Sequence, residues 1–368
     1  MDVDDRFMWM ALDLARQGRG RTSPNPMVGA VVVQGGEVVG TGYHQAAGSP
    51  HADVIALRKA GEKAAGGTLY LNLEPCCHQG RTGPCTEKII EAGISRVVAA
   101  MQDPNPLVSG KGFARLEEAG IKVKQGVLEE KARQLNEAFI KYISTGLPFV
   151  EIKVAMSLDG KIGTITGDSQ WITGEKARQF VHHLRDHTDV IMIGIGTVLK
   201  DNPRLTTRIE GGGGKDPVRV IVDSTGRLPI DARVIESASG GKTILAVTER
   251  ATREKIKALE DKGVEVIVMP SAQGFVDLPA LMKELAGREF TSILVEGGGT
   301  LNYSLLSRNL VDKLFVFIAP LIIGGRQSPT AFGGPGIDTL DKAWSVKNIE
   351  MKQFDQDLLL IGYPEAGR

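Results

Sequence analysis

Two α/β domains in series are what this sequence predicts, on three observations. The chain has 368 residues, more than one compact core usually organises. Runs rich in β-branched residues alternate along it with stretches of helical apolar spacing, the pattern of mostly parallel sheets covered by helices. A Gly- and Pro-bearing segment, STGLPF at 144–149, interrupts that alternation and places the domains at 1–145 and 148–368.

The elements follow in order. Asp4 to Gly18 has apolar residues at helical spacing. MVGAVVV reads as a buried strand, QGGE as a turn and VVGTGY as a second strand. A helix is expected from about Ala52, a strand over TLYLNLEP with Cys76 at its end, and a helix from about Cys85. After these come a strand at SRVVAAM, a helix near Gly112 to Glu118 and a strand at IKVKQG. One helix, EEKARQLNEAFIKYIS, closes the first half. The second half restarts with FVEIKVAM and continues through the strand candidates DVIMIG, VRVIVD, TILAV, VEVIVM, SILVEG and KLFVFIAP, most of them separated by helices. WSVKNIEMKQF and DLLLIGY predict an antiparallel end to the second sheet.

Composition excludes several classes. The chain has 44 basic and 44 acidic side chains and is 5% aromatic, which argues against a nucleic-acid binder or an anionic-membrane binder. The longest apolar run, LFVFIAPLII, is well short of a membrane span. The acidic N-terminus lacks the basic start of a secretory signal. Cys76, Cys77 and Cys85 are the three cysteines and lie within ten residues. They form no disulfide framework, so a cytoplasmic location and metal ligation are expected.

The first constellation is His51, Asp53, Cys76 and Cys85. Two thiolates and an imidazole make a three-ligand Zn²⁺ set that leaves one position for a water the metal acidifies. Helix starts at His51 and Cys85 favour negative charge there. A carboxylate two residues after the histidine is placed to shuttle protons. Zinc deaminases carry H-x-E and P-C-x-x-C; here the cysteines are spaced C-x₈-C and the acid is Asp53. Cys77 reads as a small buried side chain.

TSPNPMVGAVVV, GYHQAAGSPHADVIAL and LNLEPCCHQGRTGPC resemble the deaminase half of the bifunctional riboflavin-biosynthesis deaminase/reductase family. That family has a long gap between its cysteines and Glu where this chain has Asp53. The resemblance implies a cytidine-deaminase-like α/β/α domain whose pyrimidine and ribose-phosphate pocket is lined by Asn25, His44, His78 and Arg81.

In the second half, SILVEGGGTLNYSLL runs strand, glycines, helix start, an arrangement that holds phosphate, and GIGTVLKD repeats it more weakly. Neither is the G-x-G-x-x-G of a Rossmann domain. With SLDGKIG, SQWITG and IGIGTVLKDNPRLTTR, these segments resemble the reductase half of the same family, which implies a dihydrofolate-reductase-like α/β domain using NADPH. By resemblance the cofactor contacts are Ala155, Trp171, Thr197, Asp201, Ser224, Gly298, Gly299, Thr300, Leu301, Asn302, Tyr303 and Ser304. The substrate contacts are Ser169, Arg185, Leu205, Arg208 and Glu296. Arg185 and Arg208 carry fork-shaped donors suited to a ribose phosphate. Glu296 is suited to sugar hydroxyls, and Lys153 is a candidate for protonation during reduction. His182, His183 and His187 are expected to be solvated or capping.

The expected activity is deamination of a diaminopyrimidinone ribosylamine 5′-phosphate, then NADPH reduction of its ribosyl chain to ribityl. A small-molecule substrate and a homo-oligomer, dimer or tetramer, are implied. Two other readings stay open: a reductase carrying a weakened or structural zinc module, and a deaminase acting on a base in nucleic acid.

Overall fold

The structure is a computed structural model and describes residues 2–77, 83–236 and 241–367. Its contacts divide the chain into two units, Met1–Leu147 and Pro148–Arg368.

The first unit opens with helix α1 (Val3–Arg16), which buries Phe7, Met8, Ala11, Leu12 and Ala15. A sheet of order β2-β1-β3-β4-β5 follows, built from β1 (Gly29–Gln34), β2 (Glu37–Tyr43), β3 (Thr68–Leu71), β4 (Arg96–Ala99) and β5 (Lys122–Lys124). Only β3-β4-β5 are parallel; β1 pairs antiparallel with both β2 and β3. The expectation of a mostly parallel first sheet is thereby corrected. β1 and β2 are joined by the tight QGGE turn, which forces antiparallel pairing, and β1 also runs against β3.

Helix α2 (Ala52–Ala60) lies tight against β2: a Cβ on Gly40 would sit 2.2 Å from the Ala56 carbonyl oxygen, and one on Gly42 2.3 Å from that of Ala52. These glycines let the backbones touch and so fix where α2 begins. α3 (Cys85–Glu91) and α4 (Lys111–Glu118) follow. The helix expected over EEKARQLNEAFIKYIS is two, α5 (Glu129–Leu135) and α6 (Glu137–Thr145), broken at Asn136. Asn136 leaves helical geometry because its amide is committed to a distant partner: Oδ1 accepts the Met27 N–H at 2.8 Å and Nδ2 donates to the Met27 carbonyl at 3.0 Å. A buried charge cluster ties α1 to the sheet. Asp4 accepts from both nitrogens of the Arg96 fork at 2.9 and 2.7 Å, from Lys124 at 2.7 Å and from the Tyr70 hydroxyl at 2.9 Å.

The second unit is a sheet of order β10-β9-β8-β7-β13-β6-β14-β16-β15. In chain order its parts are β6 (Phe149–Ser157), α7 (Glu175–His187), β7 (Val190–Gly194), α8 (Ile195–Asp201), β8 (Val218–Val222), β9 (Thr243–Val247), α9 (Arg253–Glu260) and β10 (Glu265–Val268). Then come the short pair β11 (Ser271–Ala272) and β12 (Phe275–Val276), α10 (Leu278–Gly287), β13 (Ser292–Val295), α11 (Gly299–Leu306), β14 (Lys313–Ala319), β15 (Ser345–Phe354) and β16 (Asp357–Glu365). Pairing is parallel from β10 to β14 and antiparallel through β16 and β15, as the late stretches predict. The central strands are buried on both faces; Ile191, Ile193, Ile221 and Leu245 are wholly enclosed. A parallel sheet with its strand ends on one side opens its cleft there, and the glycine-rich turns after β7 and β13 lie at that edge.

Candidate active sites

The first site forms where two helices begin. His51 is the N-cap of α2 and Cys85 the first residue of α3. Cys76 lies five residues beyond β3, whose strand ends at Leu71 rather than at Pro75, and its carbonyl accepts the Thr86 N–H at 3.2 Å. That bond holds the Cys76 loop to the first turn of α3. The ligand atoms of His51, Cys76 and Cys85 all lie within 4.8 Å of one another, and His51 Nδ1 stands 3.1 Å from Cys85 Sγ and 3.6 Å from Cys76 Sγ. Hydrogen bonding from the Cys85 side chain and from His51 pushes the Cys76 thiol down to about 4, while the same Cys76 contact, burial and Asp53 push Cys85 up. Two thiolates and one imidazole fit zinc.

Asp53 is 4% exposed. Its Oδ1 accepts the Val54 N–H at 2.8 Å and its carboxyl also bonds the Cys85 side chain. Burial raises its pKa. His44 stands beside His51, ring centroids 5.5 Å apart and edge-on. Its Nδ1–H donates to the Pro50 carbonyl at 3.2 Å, which leaves Nε2 to accept from Asn25 Nδ2 at 3.1 Å. Asn25, His44, His51 and Asp53 are thus brought together. His78 and Arg81 lie outside the described residues.

The second site is a cleft of about 940 Å³ in the C-terminal unit. Its lining includes Lys153, Ala155, Ser169, Trp171, Arg185, Thr197, Asp201, Leu205, Arg208, Glu296, Gly298, Gly299, Thr300, Leu301 and Asn302. Ser224, Tyr303 and Ser304 do not line it. Ser224 Oγ accepts the Val276 N–H, and the Tyr303 hydroxyl donates to the Gly336 carbonyl at 2.9 Å. Of α11, the first turn, Gly299 to Asn302, lines the cleft.

Gly298 caps α11 without a side chain, and a Cβ on Gly299 would come within 2.4 Å of the Thr330 carbonyl oxygen. Bare N–H groups at a helix start packed this closely suit a phosphate of a dinucleotide. Asn302 Nδ2 donates to the Ala331 carbonyl at 2.9 Å, while its buried Oδ1 has no partner among the described residues.

Glu296 sits just past the end of β13 and holds Arg185 in a fork: Nε donates to Oε1 at 2.6 Å and Nη2 to Oε2 at 2.8 Å. Lys153 Nζ is 4.0 Å from Oε2. Burial would push Glu296 up, but the Arg185 and Lys153 charges outweigh it and leave the carboxyl at about 2. Burial lowers Lys153. Arg185 spends three of its five N–H donors within the protein: two hold Glu296, and Nη1 donates to the Thr206 carbonyl at 2.9 Å.

A correction concerns α7. His182 is not solvated; it is 8% exposed and lines the cleft. Its Nδ1 accepts the Arg208 N–H at 3.2 Å. A usable signal was its spacing: His182 precedes Arg185 by three residues, which places both on one helical face.

Residues 1–101 match the family model described as the cytidine and deoxycytidylate deaminase zinc-binding region, and residues 148–360 match the RibD C-terminal domain. The chain is 44% identical over 360 residues to riboflavin biosynthesis protein RibD of Aquifex aeolicus, covering 98% of each. It is 42% identical over 368 residues to that of Escherichia coli, covering 97% of this chain and 98% of the relative. Acinetobacter baumannii RibD superposes with a TM-score of 0.88 at 37% identity, over 99% of both chains. A diaminohydroxyphosphoribosylaminopyrimidine deaminase/5-amino-6-(5-phosphoribosylamino)uracil reductase from Thermotoga maritima does so with a TM-score of 0.84 at 37% identity, again over 99% of both. The chain therefore belongs to the RibD family of riboflavin-biosynthesis enzymes, in which a zinc-dependent deaminase and a reductase share one polypeptide.

Proposed function

We propose that the chain deaminates 2,5-diamino-6-(5-phosphoribosylamino)pyrimidin-4-one in its N-terminal unit and reduces the ribosyl chain in its C-terminal unit, with the following division of labour. His51, Cys76 and Cys85 hold zinc; the convergence of their ligand atoms within 4.8 Å is the observation that carries this. Zinc, when bound, supplies a Lewis acid that makes water nucleophilic at neutral pH. Asp53 would carry one proton from that water to the ring nitrogen as the C–O bond forms, and a second, from the hydroxyl of the resulting adduct, to the amino group as the C–N bond breaks and ammonia leaves. His44 and Asn25, locked to each other, orient the pyrimidine, with Arg81 as a further substrate contact.

In the C-terminal unit Gly298, Gly299 and the first turn of α11, together with Ala155, Trp171, Thr197 and Asp201, bind NADPH, which supplies the hydride for C1′. Ser224, Tyr303 and Ser304, outside the cleft lining, complete this set as further cofactor contacts. Glu296, held ionised by Arg185, accepts hydrogen bonds from sugar hydroxyls. Lys153, whose ammonium is disfavoured by burial, would give its proton to the ring oxygen O4′ as hydride reaches C1′ and the C1′–O4′ bond opens. Ser169, Leu205 and Arg208 complete the substrate wall. We place the enzyme in the cytoplasm as a homo-oligomer; no described helix is long and apolar enough to cross a membrane.

The test is sequential. Zinc-loaded protein is given the diaminopyrimidine, ammonia is assayed, and NADPH is then added. Ammonia first and NADPH oxidation second is the expected result. NADPH oxidation without prior ammonia release overturns the order. A second reading, a reductase with a weakened zinc module, is favoured by one observation: the Asp53 carboxyl is engaged by its own helix start and by Cys85. Absence of ammonia at high enzyme concentration supports that alternative.

A further inference from the structure

His182 is a polar side chain buried beside the reductase cleft, and the roles assigned above make no use of it. Nδ1 accepts a backbone N–H, so the ring is the neutral tautomer with its proton on Nε2. That Nε2–H has no partner among the described residues, although His182 is 8% exposed. His182 lines the cleft, so a ligand bound there can take this donor. The surroundings point to an anion. The Arg208 side chain stands in the same wall, has no hydrogen-bond partner among the described residues, and is crowded by Arg185, Arg204 and Arg233. Burial and the Arg185 and Arg208 charges also disfavour a protonated ring, pushing His182 down to about 4. Arg185 is occupied by Glu296 and the Thr206 carbonyl. That uses three of its five N–H donors, and beside it stand two groups whose donors have no hydrogen-bond partner among the described residues, the Arg208 side chain and the imidazole Nε2–H. α7 also grips their loop twice, one helical turn apart, through Arg185 to Thr206 and through His182 to Arg208; Leu205 in that loop has a left-handed φ of 55°.

We infer that His182 is a substrate-binding residue of the reductase: with Arg208 it recognises the phosphate monoester of the ribosyl substrate, donating from Nε2. This rests on the reading that the C-terminal cleft takes the ribose-phosphate substrate. The test compares wild type, His182→Asn and His182→Leu on the deaminated substrate and on its dephosphorylated form. Asparagine keeps an acceptor where Nδ1 stands and lacks the Nε2 donor; leucine lacks both. Both variants should raise the KM of the phosphorylated substrate about 10- to 100-fold, the range for a hydrogen bond to a charged group. kcat and the KM for NADPH should stay within about threefold, and the KM of the dephosphorylated substrate should be the same in wild type and His182→Asn. In ¹⁵N-histidine-labelled wild type, ribose 5-phosphate should shift the His182 Nε2 resonance, an observation independent of turnover. A wild-type KM in His182→Asn would reduce His182 to a support for the Arg208 backbone and overturn the inference. Wild type that does not distinguish phosphorylated from dephosphorylated substrate would overturn the cleft reading as well, whatever the variants do.

Discussion

Asp53 in the N-terminal unit and Glu296 in the C-terminal unit are both carboxylates shielded from water, at 4% and 9% exposure. Their partners differ. Glu296 is clasped by the Arg185 fork with Lys153 nearby, so it is held as a fixed anion. Among the described residues, Asp53 bonds only its neighbour's N–H and the thiol of Cys85. A buried carboxylate saturated by cations is suited to holding a substrate in place. One that lacks such a clasp can exchange its proton, and its usefulness then depends on reach. The two halves thus put the same functional group to different work through its neighbours.

The largest effect is expected from breaking the metal cluster. Cys85→Ser should reduce bound zinc from about one per chain to almost none and ammonia release by about a thousandfold or more. NADPH oxidation with pre-deaminated substrate should stay near wild type; metal analysis and the two assays check this. If both activities fall together, the two sites are not separate. Next is Glu296→Gln. Removing one partner of a buried pair leaves Arg185 uncompensated, at a cost of about 3–5 kcal/mol. Reductase kcat/KM should fall about a hundredfold with ammonia release unchanged.

The smallest effect is on stability against pH, read from the denaturant midpoint of the C-terminal unit. His182 has a folded pKa of about 4, below its ordinary 6.5. The unfolded chain therefore takes up the proton first, and stability falls as pH drops from about 6.5 to 4. Glu296, at about 2 against an ordinary 4.5, contributes stability present above about 4.5 and lost as pH falls towards 2. His182→Asn should flatten the upper part of the curve and Glu296→Gln the lower. A curve unchanged by either variant would mean that neither group carries the linkage.

How far the two regions were legible in sequence follows from the same contrast. The metal site depends on residue identity at helix starts, and His51, Cys76 and Cys85 declare themselves by type and spacing. A Rossmann domain is likewise disfavoured by the glycine pattern and by the lack of an acid at the expected offset. The cleft is different. Residues from 153 to 302 converge there, and who pairs with whom is set by the packing of α7 against the 205–208 loop. Hence the pairing of Arg185 with Glu296, 111 positions away, is not legible in the sequence, and His182 reads there as one of three similar histidines on a polar helix. The break at Asn136 was hidden for the same reason, since its partner Met27 is more than a hundred positions away. The direction of β1 against β3 depends on how the chain returns past α2, which local spacing does not encode.

The claim that a carboxylate's surroundings decide its role is tested most directly at Asp53. Its side chain is one methylene, about 1.5 Å, shorter than the glutamate of the zinc-deaminase pattern, and a misplacement of about 1 Å can cost about a hundredfold in rate. Single-turnover ammonia release by zinc-loaded wild type and Asp53→Glu, with zinc content measured in both, isolates that distance. A rise of about tenfold or more at equal zinc is predicted. An unchanged or slower rate at equal zinc would contradict the shortened-arm account.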